Sequence, residues 1–285
     1  MRINYTCICI LICLYIISIL FILCTSKTKN TRNIYESFEN NESSHIPKII
    51  HMTCKDKNNI SDFYKSNYNS WKKYHTNWDI RLYDDNDLIN FCKTNYPSIY
   101  TDIMQTYDKI IFKIDIFKML VLDKIGGVYV DMDVECLKSI DDLVSNDNYN
   151  VILGYGPFEH NSKYDVSLIE CAIMISKPNH PFWNKYVIPS LKPKHKHTKI
   201  HPVICTGPLF ITHNVNEYNK SYDDLKIMDP VYFYPINNQT NSVSQTLIKN
   251  TQDMIKNHSY PKESYCVHHF DGSWWKKTTR KGHYN

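Results

Sequence analysis

Most of the short signatures that announce a chain's chemistry are missing from these 285 residues. There is no Walker loop, no dinucleotide-binding glycine fingerprint and no Ser-centred nucleophile elbow, which removes the simplest P-loop, Rossmann-cofactor and serine-hydrolase readings. No two cysteines have zinc-site spacing, and no internal repeat is found. Charge of one sign is scarce as well. Against 33 basic residues stand 29 acidic ones, and the net charge of +4 comes without a long arginine-rich run. A solvated lysine-rich surface accounts for that balance, and no nucleic-acid partner is expected.

One uncharged run stands out from this background. Cys7 to Cys24 reads CICILICLYIISILFILC, a length that approaches the hydrocarbon thickness of a bilayer. It is read as a single-pass membrane anchor behind a short tail, residues 1–6. A cleaved signal peptide is the competing reading, although no clean small-x-small site follows. Arg2 lies on one side of the run and Lys27, Lys29 and Arg32 on the other, so charge alone does not orient it. Residues 25–45 are polar and mixed in charge, as in a flexible stem. The folded domain is expected over 46–285. Six cysteines remain there: Cys54, Cys92, Cys136, Cys171, Cys205 and Cys266. They suit either lumenal disulfides or buried thiols. Sequons at Asn41, Asn59, Asn238 and Asn257 permit glycosylation in a lumen.

The domain reads as α/β. Lys48 to Met52 and Asp79 to Tyr83 suit strands, and Tyr64 to Tyr74 suits a partly helical segment between them. The pattern is strongest from Asp108 onward. Ile110, Ile111, Ile114, Phe117, Val121 and Ile125 recur at helical intervals, Gly126-Gly127 ends the helix, and Val128-Tyr129-Val130 forms a strand running into Asp131-Met132-Asp133. Ligands of open α/β sheets collect at such strand exits. Further strands are expected at 151–153 and 172–175, with helices over 181–188 and from 209.

Two carboxylates one residue apart, Asp131 and Asp133, can approach one hard cation, Mn²⁺ or Mg²⁺, and join it to a diphosphate. A bare DxD is also a common acidic surface turn, and the buried strand before it is what lifts it above that reading. Asp115 and Lys118 lie three apart on the helix and can converge. They form either a surface ion pair or a group that recognises ribose or phosphate. His269 can complete an oxygen-rich metal shell or serve as a structural histidine, while His268 packs or hydrogen-bonds.

In order along the chain stand IPKIIH (46–51), WDIRLYDD (78–85), KIDIFKMLVLDKIGGVYVDMDVECL (113–137), SKPNHPFW (176–183), TGP (206–208) and HHFDGSW (268–274). This series resembles the DxD-containing glycosyltransferases related to the fungal initiating α-1,6-mannosyltransferase and the animal α-1,4-galactosyl- and N-acetylglucosaminyltransferases. The resemblance implies a single GT-A-type nucleotide-sugar transferase fold with a Rossmann-like donor half. It also implies metal-dependent, retaining transfer of a hexose or N-acetylhexosamine, mannose as first guess, to a glycan or glycolipid. Asp131 and Asp133 become the catalytic metal pair, with His269 as third ligand. Asp115, Lys118, Gly127, Tyr129, Gly272, Ser273 and Trp274 become the donor-binding set. Lys118 replaces the more frequent arginine and loses its two-pronged contact. Cys171 stands where asparagine is frequent. Partners would be a nucleotide-sugar, an acceptor and a membrane, with the domain in a Golgi- or ER-like lumen. A non-catalytic carbohydrate-binding or scaffold protein on the same fold is the alternative.

Overall fold

The computed structural model describes residues 45–157, 166–194, 201–236 and 245–272. Residues 43–285 group as one compact unit. The anchor and stem expected over 7–45 lie outside the described residues, apart from His45. Among the described residues no helix is long and apolar enough to cross a membrane.

The six-stranded sheet at the centre contains β1 (Ile49–Thr53), β2 (Asp79–Tyr83), β3 (Gly127–Val130), β5 (Val151–Tyr155), β6 (Ile169–Ser176) and β7 (Leu225–Met228), in the order β2-β1-β3-β6-β5-β7. The first three run parallel, and β6 runs antiparallel to both β3 and β5. The sheet is therefore mixed, with the parallel half that the α/β reading requires. A two-stranded ladder, β4 (Val134–Cys136) with β8 (Cys266–His268), stands beyond the end of β3.

Helices cover both faces. On one face α3 (Ile110–Lys124) packs Phe112, Ile116 and Leu120 against Tyr129 and Met174. On the other, α1 (Asp62–Tyr74) sets Tyr64 and Trp71 with Val128, Val130 and Ile173. The expected buried face of α3 is too narrow a description. Residues 115–123 are all buried, including Asp115, Lys118 and Asp123, because α2 (Asp85–Asn95) and the segment after Phe182 enclose it on its remaining sides. Asp84 caps α2 by accepting from the amides of Asn86 and Asp87.

The turn from α3 into β3 needs both glycines. Gly126 and Gly127 have φ of 70° and 95°, and a side chain at Gly127 would stand 2.5 Å from the Ile49 carbonyl oxygen of β1. His51 fastens the same turn. Its Nε2 lies 2.9 Å from the Gly126 carbonyl, which can only accept, so Nε2 carries the proton and Nδ1 accepts from Tyr83 Oη at 3.0 Å.

Candidate active site

The DxD segment is held from three sides. Behind it, α1 satisfies its backbone: Asn67 Nδ2 donates to the Met132 carbonyl at 2.9 Å, Trp71 Nε1 donates to that of Val134 at 2.9 Å, and Ser70 Oγ accepts from the Cys136 amide at 2.8 Å. Beside it, the Asp131 amide donates to the Ala172 carbonyl of β6 at 2.8 Å. Above it, β8 pairs Val134 with His268. These bonds fix two half-buried carboxylates at the exit of β3.

Asp131 faces the α3 side. Lys118 Nζ stands 3.0 Å from its Oδ2 and 3.5 Å from Asp115 Oδ1, while Tyr129 Oη donates to its Oδ1 at 3.0 Å. Lys118 is 3% exposed and Asp115 5%, so the surface ion-pair reading does not describe this pair. Burial disfavours the ammonium, but Asp131, with Tyr129 and Asp115 behind it, holds Lys118 charged and well above its ordinary value. Burial pushes the Asp115 carboxyl up to about 6, against Lys118 and the hydroxyl of Thr206, which donates to it at 2.9 Å. Thr206 is the first residue of the TGP motif, so that motif reaches the site through Asp115.

Asp133 faces the opposite side. His268 Nε2 lies 3.2 Å from its Oδ2, and the Asp271 amide donates to the same oxygen at 3.0 Å. Phe270 delivers that amide: its φ of 50° turns the chain back toward Asp133, a conformation costly for a large side chain and concentrated at functional sites. Burial works against charge on Asp133, yet His268 and the amide outweigh it and hold the carboxyl down at about 2.

The sequence-expected residues divide accordingly. Asp115, Lys118, Tyr129 and Asp131 form one connected group, with Asp133 beside it on the His268 side. Gly127 sits at the far end of β3, against β1. The imidazole set on the DxD is that of His268. His269 instead reaches Glu135 Oε2 at 3.1 Å, and its backbone amide donates to the Asp133 carbonyl. His268 is the last residue of β8 and His269 the first beyond it, and the two imidazoles diverge onto Asp133 and Glu135. Gly272 follows the Phe270 turn with φ of 57°. Ser273 and Trp274 lie outside the described residues.

His268 was expected to pack or hydrogen-bond, and its partner proves to be Asp133; Glu170, which lies near His268 and Lys118, was not singled out. The signal for Glu170 was a lone acid inside the apolar run Ile169 to Ile175. Burial pushes its carboxyl up to about 7, against the pull of His268 and Lys118.

The donor set fits a hard divalent cation. Asp115, Asp131 and Asp133 outnumber the cationic Lys118 and His268, leaving negative charge for an ion to neutralise. Among the described residues no three His, Cys, Asp or Glu side chains converge on one point. Two carboxylates completed by phosphate oxygens and water match the way magnesium-type ions are held.

A mixed α/β sheet with a DxD at a strand exit, a buried lysine beneath it and carboxylates in excess supports a GT-A-like glycosyltransferase fold. Family comparison agrees: residues 61–150 match the glycosyltransferase sugar-binding region containing the DXD motif. The chain is related to the DxD-containing glycosyltransferases that include the fungal inositol phosphoceramide mannosyltransferases. It is 26% identical over 182 residues to inositol phosphoceramide mannosyltransferase 1 of Schizosaccharomyces pombe, covering 62% of this chain and 53% of that protein. With an uncharacterized glycosyltransferase of Acanthamoeba polyphaga mimivirus it shares 24% over 201 residues, 67% of this chain and 74% of that one. Among solved structures, PaToxG glycosyltransferase aligns at 16% identity with a TM-score of 0.43, over 68% of this chain and 79% of that chain. The chain spans about half the length of the fungal relatives it matches.

Proposed function

We propose that the protein is a metal-dependent hexosyltransferase. It moves a hexose or N-acetylhexosamine, mannose by first choice, from a nucleotide-sugar to a glycan or glycolipid with retention of configuration. The observation that carries this reading is the pair Asp131 and Asp133, held partly exposed at the end of β3 with Lys118 buried 3.0 Å from Asp131. The names of the fungal relatives, mannosyltransferases acting on inositol phosphoceramide, support mannose and a glycolipid acceptor.

Asp131 and Asp133 would hold Mn²⁺ or Mg²⁺, which when bound neutralises charge on a diphosphate leaving group. The chain's own residues do the rest. Lys118 fixes Asp131 from below, so that carboxylate cannot rotate away from the ion. Tyr129, itself hydrogen-bonded to Thr53 Oγ1 at 2.7 Å, holds the other oxygen. His268 and the Asp271 amide do the same for Asp133. Preset dipoles and charges of this kind cost no reorganisation during reaction. Asp115, braced by Thr206, belongs with the nucleotide-contacting group, and Gly272, Ser273 and Trp274 with the segment that covers the donor. The apolar run at 7–24 supports a membrane anchor, and placement of the domain in a lumen rests on the family resemblance.

A panel of nucleotide-sugars incubated with the protein, with and without Mn²⁺, tests the reading. Mn²⁺-dependent release of nucleotide from one donor is expected. Binding of nucleotide-sugar without any release would favour the non-catalytic alternative.

A further inference from the structure

We propose that Glu170 is the residue that reads the transferred sugar, its carboxyl accepting hydrogen bonds from hydroxyls of the nucleotide-linked ring. This rests on the transferase reading above and adds to it a residue that none of the sequence motifs contains.

The argument begins with an irregularity in β6. Between Ile152↔Ile175 and Gly154↔Glu170, β5 advances by one intervening residue while β6 passes through four. The surplus forms a bulge, and bulges re-aim side chains next to sites. Here the bulge lies directly beside the DxD, since Ala172 accepts the Asp131 amide and the Cys171 carbonyl lies 3.4 Å from Lys118 Nζ. Ile169 and Cys171 pack into the α3-side core. Glu170, between them, faces the other side, where His268 and Tyr234 feel its charge.

Space has been kept for that carboxyl. A methyl group at Gly156 would stand 2.7 Å from Glu170 Oε1 and 2.8 Å from Cγ. Glu170 is 7% exposed, and among the described residues no hydrogen bond or ion pair of its carboxyl is formed. Its oxygens are not among the fully buried atoms that lack a partner, so they keep a path to solvent and can accept from donors that a ligand brings.

The surroundings specify the ligand. His268 and Phe270, both partly exposed, bring their ring centroids to 4.0 Å beside the site, and the buried Tyr234 backs His268 at 5.9 Å. Aromatic walls with one convergent polar group suit a sugar, which has apolar C–H faces and a rim of hydroxyls. Position points the same way. In a nucleotide-sugar the ring is joined through one oxygen to the terminal phosphate, so a diphosphate on Asp131 and Asp133 sets the sugar beside them.

Calorimetric titration of the full chain in Mn²⁺ tests the proposal, first with UDP and GDP, then with their sugar conjugates. The variants are Glu170→Gln, which keeps the shape, and Gly156→Ala, which displaces the carboxyl without altering it. Both are expected to bind the nucleoside diphosphate within about twofold of wild type. Both should lose roughly ten- to a hundredfold in affinity for the preferred nucleotide-sugar, the range for a hydrogen bond to a charged group. Equal losses for diphosphate and conjugate, or no loss for either, would overturn the assignment of Glu170 and leave the transferase reading standing. A wild type that binds no nucleoside diphosphate would overturn the transferase reading, and this inference with it.

Discussion

Replacing Lys118 with methionine should do more damage than its surface charge count suggests. The side chain is similar in length, so packing is preserved and the change is chiefly electrostatic. Lys118 stands between two carboxylates, 3.0 Å from Asp131 and 3.5 Å from Asp115, with 4% of its own side chain exposed. Removing one partner of a buried ion pair costs about 3–5 kcal/mol. Asp131 keeps 27% of its side chain in contact with solvent, which argues for the lower end, about 3 kcal/mol. Part of that cost can be escaped. With the ammonium gone, both carboxyls titrate above their unfolded values, so the folded variant holds protons that the unfolded one releases. Stability then falls as pH rises through that window and recovers on acidification. The difference between variant and wild type should therefore be largest near pH 8 and smaller near pH 5. Urea unfolding followed by tryptophan fluorescence reads it directly, because Trp71 and Trp183 are fully buried. Equal stability of the two proteins at pH 8, or a difference that does not change with pH, would refute the buried-pair argument.

Asp133→Asn keeps the shape and removes the charge that His268 and the Asp271 amide stabilise. Nucleotide release should fall about a hundred- to a thousandfold with the fold intact, and Asp131→Asn should lose nearly as much. Acid should unfasten the glycine turn through His51, whose folded pKa is lowered from 6.5 to about 4 by burial. The unfolded chain binds the extra proton first, so stability declines from pH 6.5 toward 4 by up to about 3 kcal/mol. His51→Gln should flatten that part of the pH–stability curve in urea titrations. Cys136 and Cys266 are direct partners across β4 and β8. The neighbouring pairs, Asp133–His269 and Leu137–Tyr265, carry the ladder bonds, which makes Cys136–Cys266 the close non-bonded kind. Refolding in a glutathione redox buffer should give a 136–266 disulfide peptide by non-reducing mass spectrometry, and a different pairing would contradict this register.

The local elements were legible in the chain because their patterns are local. β2 falls on the expected Asp79–Tyr83, and α3 ends at the expected glycines. Burial around α3 was less legible. Its apolar spacing gave one face, and only packing of α2 and the segment after Phe182 encloses the rest. The site was readable where its members neighbour one another in sequence, as in Asp131 with Asp133. It was unreadable where they meet from afar. The ladder sets His269 opposite Asp133, yet the imidazole on Asp133 is that of His268, a result of the local chain path that no period in the sequence encodes. Glu170 depends on a bulge that shifts side-chain direction within one strand.

The β4–β8 ladder also carries a consequence for how the protein is made. His268 and Asp133 are 135 residues apart, and closing a loop of that size costs about 4 kcal/mol in chain entropy. Translation delivers the carboxylates first and, 135 residues later, the strand that braces Asp133. A nascent chain thus carries DxD aspartates before it carries the imidazole and the amide that steady Asp133. A product that stops before Cys266 retains all six strands of the main sheet but lacks that brace. Bracing of Asp133 therefore waits on a strand far downstream of the carboxylate it steadies.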